Sequence, residues 1–277
     1  MPAPWALTRA LCLGVAIGLA TGGQAAGQRT PLTIPEYLLE GNRPVSGDAI
    51  TFCVDDRAPG SEVDMEIAEA LAEALLLDVS FFRVSEMPGR TDQINLTDDL
   101  LFVLLSDECN AVIGMKFGDR VGVADFLTVT RPYYETGYVL ASTRDDVDEF
   151  AALAETGVQV GIPFQSRMNS SVSYYYEDTY RRVFGSEREL LDALLGGEIE
   201  AGMFYGPELL AMMEGDLFGL TISRVDPVPN GTVPVGMLLF EDQTFMRGLI
   251  DEAIGQLTDS GVIADILDGA GFGQLPW

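Results

Sequence analysis

The 277-residue chain contains no histidine, a single lysine (Lys116) and only three cysteines. Without histidine it lacks the commonest general base and the commonest imidazole metal ligand, so Ser-His-Asp hydrolysis and histidine-based zinc sites are excluded. Cys12, Cys53 and Cys109 have no CxxC spacing, and no GxSxG, GxxxxGK[ST] or GxGxxG signature occurs. Adjacent acids such as Asp55-Asp56 and Asp145-Asp146 are candidates for acid–base work, but in a chain this acidic they read as solvated pairs. The expectation is a protein without catalysis, cofactor or metal. Basic residues are scarce as well: 16 stand against 43 acids, a formal net charge of −27. Such a surface repels phosphate backbones and anionic lipid, which excludes nucleic-acid and peripheral-membrane roles. It suits solubility, or steering toward a cationic protein.

The N-terminus has the one charge Arg9, an apolar run Ala10–Ala20 and a small-residue exit Thr21–Ala26. That order fits a cleaved export signal over residues 1–26, and the apolar run is too short to span a bilayer. Cleavage removes Cys12 and Arg9 but no acid, taking the net charge from −27 to −28. The expected location is therefore the bacterial periplasm. Two cysteines then remain in an oxidising compartment, where Cys53–Cys109 is the one possible intramolecular disulfide, the other reading being two buried thiols. The remaining length, about 250 residues with 47% hydrophobic content, suffices for one large domain or two lobes.

A polar, proline-containing arm over residues 27–48 precedes the strand Ala49–Val54. Glu62–Leu77 repeats Val63, Ile67, Ala70, Leu71, Ala74 and Leu75 at three- and four-residue steps, the period of a helix. Val79–Val84 then reads as a strand, Leu96–Leu105 as a helix and Ala111–Met115 as a buried strand. Further strands are expected at Gly137–Ser142, Val158–Ile162, Ala201–Tyr205 and Val233–Phe240. Helices are expected at Val147–Glu155, Glu187–Leu195, Pro207–Met213, Gln243–Leu257 and Val262–Leu267. Tyr174-Tyr175-Tyr176 reads as packing of a strand or loop, the other reading being an apolar face for a ligand or partner. Alternating strands and helices imply α/β units with right-handed crossovers and mostly parallel sheets.

Ile50-Thr51-Phe52-Cys53-Val54, Asn110-Ala111-Val112-Ile113-Gly114-Met115, Ala124-Asp125-Phe126 and Thr130-Arg131-Pro132-Tyr133-Tyr134 follow one another in the order of a known pattern. The tail, from Val235–Phe240 through a long helix to Gly261, continues it. On these segments residues 49–272 resemble the type II periplasmic solute-binding proteins that include polar amino-acid receptors. Cys53, Cys109, the Thr130–Tyr134 segment and Phe204-Tyr205-Gly206-Pro207 are most similar to the members associated with quinoprotein alcohol dehydrogenases of methanol-oxidising systems. The resemblance implies a two-lobed α/β fold with a hinge, lobe 1 being residues 49–134 and 235–277 and lobe 2 residues 135–234. It implies a monomer that binds a small molecule for an ABC-type permease, or one that serves a periplasmic dehydrogenase or its cytochrome.

Ligands of such folds sit between lobes at the carboxyl ends of strands, where loops and helix starts converge. The candidate binding residues are therefore Asp55, Asp56 and Arg57 after the first strand, Lys116 and Arg120 after the third, and Gln165, Ser166 and Arg167 after Val158–Ile162. Tyr205 ends a strand of the second lobe, and Tyr133 lies at the first crossover. By resemblance, Arg120 falls where the receptors fork a ligand carboxylate. Tyr205 stands where they carry an aspartate for the ligand's amino group. A neutral phenol cannot replace that charge, which argues against an ordinary α-amino acid.

Overall fold

A computed structural model of the chain describes residues 48–87, 96–117, 123–147, 150, 153, 157–164, 166–175 and 180–277. The expected signal, nearly all of the arm, Arg120, Gln165 and most of the helix expected over Val147–Glu155 lie outside the described residues.

One ten-stranded sheet runs through the molecule. Its strands are β1 (Ala49–Val54), β2 (Asp78–Arg83), β3 (Ala111–Lys116), β4 (Leu127–Val129), β5 (Tyr134–Ser142), β6 (Val160–Pro163), β7 (Arg181–Phe184), β8 (Ala201–Tyr205), β9 (Thr221–Arg224) and β10 (Thr232–Phe240). The spatial order is β2-β1-β3-β10-β5-β8-β6-β7, with β4 also on β10 and β9 also on β5. Pairing is parallel in β2-β1-β3 and in β8-β6-β7, and antiparallel around β5 and β10. The sheet therefore has two α/β wings joined by two strands. β5 and β10 pair with each other over Tyr134–Gly137 and Thr232–Val235, where the chain passes from one wing to the other. Gly137 is required there, since a Cβ on it would collide with the Gly231 carbonyl oxygen.

Helix α1 (Ser61–Ala74) forms because its apolar residues share one stripe, and Val63, Ile67, Ala68, Leu71 and Ala72 are buried against the first wing. Each large side chain removed from water contributes roughly 1.5–3 kcal/mol. The next helix, α2 (Asp98–Val103), is shorter than its expected span. Thr97 caps it by accepting the Leu100 N–H, and Leu104–Glu108 continues it as a single π turn. A disulfide between Cys53 of β1 and Cys109, just before β3, ties two neighbouring strands of the first wing inside its core, so the pairing alternative holds over two thiols.

In the second wing, α3 (Arg167–Tyr175) contains Tyr174 and Tyr175, which corrects the strand-or-loop reading of that cluster; Tyr174 is largely exposed. Helix α4 (Glu187–Leu195) buries Leu190, Leu191 and Leu194. α5 (Gly206–Met212) starts directly from β8 with Pro207 in its first turn, a position where the missing N–H costs nothing. α6 (Thr244–Asp259) and α7 (Val262–Gly269) return to the first wing and pack on α1. β4, β7 and β9 are short strands without a strong alternation of their own, in stretches where the sequence pattern marks no strand. Among the described residues no helix is long and apolar enough to cross a membrane.

Candidate functional site

The crossing strands set the position of a cavity of about 680 Å³. Its floor is Gly137, Tyr138, Gly231 and Val233 of the crossing region. Pro59 and Lys116 come from the first wing; Glu187, Arg188, Tyr205 and Glu208 come from the second. Both wings therefore supply walls, and the carboxyl ends of β3 and β8 open into the same space, where loops and helix starts leave polar groups available.

Tyr205 organises this cavity through four separate contacts. Its hydroxyl lies 3.1 Å from Thr136 Oγ1 on β5, and the Lys116 Nζ stands 4.3 Å from the centre of its ring. Its backbone N–H donates to Glu187 Oε1 at 3.3 Å. Tyr138 meets the same ring edge-on, 5.8 Å between centroids. Burial raises the Tyr205 phenol above its ordinary range, so it stays neutral. Burial lowers the Lys116 ammonium, an effect opposed by the negative charges of Asp64 and Asp55.

Behind Lys116 lies a polar network that the sequence reading missed. Asp64 of α1 is 5% exposed; its Oδ1 accepts from the Tyr133 hydroxyl at 2.7 Å and from the Tyr134 hydroxyl at 3.1 Å. The Gly114 N–H donates in turn to the Tyr133 hydroxyl oxygen at 2.9 Å. Gly114 has φ +74°, and a Cβ there would lie 2.6 Å from Asp64 Oδ2, so both its backbone and the space beside it call for glycine. Burial pushes the Asp64 carboxyl up to about 6, against the pull of Tyr133, Tyr134 and Lys116. A sequence signal existed: Asp64, Ile67, Ala68 and Leu71 fall on one helical stripe, where an acid is out of place unless it is paired.

Glu187 was also absent from the candidates. Burial pushes its carboxyl up to about 7, with the Tyr205 N–H pulling it down and Glu208 adding to the rise. Its Oε2 is buried and accepts no hydrogen bond among the described residues.

Of the expected binding residues, the structure brings Lys116 and Tyr205 together in the cavity. Asp55 acts on Lys116 through space and pairs with Arg57 at 3.9 Å. Asp56 turns to Ser85, taking its hydroxyl at 2.7 Å and its N–H at 3.2 Å. Slight burial raises that carboxyl, but the Ser85 bonds outweigh it and hold it below the usual range. Tyr133 spends its hydroxyl on Asp64 and does not line the cavity. Ser166 caps α3: its hydroxyl accepts the Asn169 N–H at 3.1 Å and donates to the Pro163 carbonyl at 2.9 Å. Arg167 opens that helix, with its side chain outside the described residues. Among the described residues no group of three or more His, Cys, Asp or Glu is placed to hold a metal ion.

No family model and no curated protein matches the chain. Solved structures do. The second substrate-binding domain of GlnP from Lactococcus lactis, in its open conformation, superposes with a TM-score of 0.63 at 16% identity, over 80% of this chain and 95% of that one. The second substrate-binding domain of a putative amino acid ABC transporter from Streptococcus pneumoniae gives 0.62 at 17%, over 79% and 98%. An ancestral cationic amino acid solute-binding protein gives 0.61 at 15%, over 80% and 95%. At these identities the likeness is one of fold: the chain has a mixed α/β fold with a central sheet flanked by helices, as in these substrate- and solute-binding structures.

Proposed function

We propose that this is a periplasmic solute-binding protein that closes two lobes on a small polar molecule and presents it to an ABC-type permease. The observation that supports this reading is the cavity at the strand crossing, walled by both wings and bearing charges from each. The three similar structures are described as substrate- or solute-binding proteins or domains, one of them from a putative amino acid ABC transporter, which favours the same role. On this reading lobe 1 comprises residues 49–134 and 235–277 and lobe 2 residues 135–234. They rotate about β5 and β10, and Lys116 from one wing and Tyr205 from the other meet the solute as a contacting pair. Export follows from removal of the leader over residues 1–26. No bond is made or broken, since differential affinity for the closed state is enough to drive closure.

The test is thermal and urea unfolding of the mature protein against a panel of small carboxylates, amines and alcohols. A true solute at 100 times its Kd adds about 2.7 kcal/mol of stability. No shift with any member, combined with salt-sensitive retention of a methanol-type dehydrogenase on the immobilised protein, would replace this reading with an accessory role for that enzyme.

A further inference from the structure

Glu187 stands at the start of α4, yet its neighbours do that helix's capping. The Ser186 hydroxyl accepts the Glu189 N–H at 3.2 Å, and the Glu189 carboxylate accepts the Gly185 N–H at 3.0 Å. Glu187 is left facing the cavity, one oxygen on the Tyr205 N–H and the other buried without a partner among the described residues. A desolvated carboxylate oxygen is costly until a cation or strong donor reaches it. The charged groups around it do not meet that need. Glu208 of α5 repels it, Arg188 is exposed on the same helix, and Lys116 stands over the Tyr205 ring. Among the described ion pairs none joins Glu187 to either cation.

We infer that Glu187 anchors the ammonium of the captured solute, and that this solute is an ω-amino carboxylate whose acid end meets Lys116. This rests on the solute-capture reading above. Lys116 lies over the ring of Tyr205 and Glu187 lies at its backbone N–H, so the two charges stand apart, at different parts of that residue. An α-amino acid carries both charges on one carbon and cannot reach both. A chain of several methylenes can, with Tyr138 and Val233 as its apolar wall. The anchor is also linked to protons. Below about pH 7 the carboxyl holds a proton that the ammonium must displace, so capture weakens as pH falls.

Calorimetric titration of the mature protein with 5-aminopentanoate, its isomer 2-aminopentanoate and amine-free pentanoate tests this. The first binds, and the other two bind at least about tenfold more weakly. Its Kd rises about tenfold between pH 8 and pH 6, and Glu187→Gln weakens it at least tenfold at pH 8 and flattens the pH profile. Equal binding of the two isomers, an unaffected Gln variant or a flat wild-type profile overturns the inference; the wild-type series does not depend on the variant folding. If none of the three binds but another solute of the panel does, the inference falls and solute capture stands. If no solute binds at all, capture falls with it.

Discussion

In the first wing Asp64 is buried under two tyrosine hydroxyls, whereas in the second wing Glu187 is half-buried with one oxygen unpaired. Both carboxyls are raised by burial, to about 6 and about 7. Asp64 is satisfied from within its own wing and ties α1 to the crossing segment, so it holds structure. Glu187 is supported by one backbone N–H and faces open space, so its remaining valence is directed outward. A perturbed pKa thus marks two different roles, and the count of internal partners tells them apart. The disulfide reinforces the contrast: the first wing has β1 covalently tied to the start of β3, and in the second wing no described cystine ties its strands.

The largest expected effect comes from breaking that tie. Replacing Cys53 and Cys109 with alanine releases a loop of sequence separation 56, which costs about 4 kcal/mol in urea unfolding. A loss below about 1 kcal/mol would mean that the first wing owes its rigidity elsewhere.

Next is Asp64→Ala, expected to cost about 3 kcal/mol because two tyrosine hydroxyls lose their acceptor. The pH dependence gives the sharper comparison. Asp64 has a folded pKa of about 6 against an ordinary 3.8, so the folded state binds the extra proton between those values. The stability this provides is full below about pH 3.8 and is lost as pH rises through about 6. Urea unfolding of wild type, compared with Asp64→Asn, should lose on the order of 3 kcal/mol between pH 4 and pH 8. Equal slopes would show Asp64 to be more solvated than its two tyrosines imply.

The smallest effect lies between the wings. Tyr205→Phe removes the hydroxyl contact with Thr136 but keeps the ring under Lys116, costing about 1 kcal/mol. Tyr205→Leu should add roughly 0.5–1 kcal/mol as the cation loses its aromatic face. Identical losses in the two variants, measured by thermal unfolding, would mean the ring contributes nothing to Lys116.

Much of this fold was legible because its elements carry their own periodicity. β1, α4 and β8 occupy their expected spans to the residue, each bounded by a turn, a cap or a Gly-Pro stop. β4, β7 and β9 were not legible, since strands of three or four residues take their conformation from the neighbours they pair with. Tyr205 is expected at the end of its strand and Lys116 just after Ala111–Met115, because strand ends can be read from a sequence; β3 in fact extends to Lys116. Asp64 looked like one acid among several on a helix, although it shares the stripe of Ile67 and Leu71. Glu187 looked like an ordinary first-turn acid, and nothing local distinguishes it from Glu189, which does cap the helix. What separates the two is the arrival of β8 beside one of them, a contact 18 positions away along the chain.

Trp277 has its indole against Gly206, so close that a Cβ on that glycine could not be accommodated, and Gly206 follows Tyr205 directly. The sequence has two tryptophans, and the other, Trp5, belongs to the expected leader. The exported form would then carry a single indole, one residue removed from the aromatic wall of the cavity. Its emission spectrum is a built-in optical gauge of what happens there, readable without any attached dye.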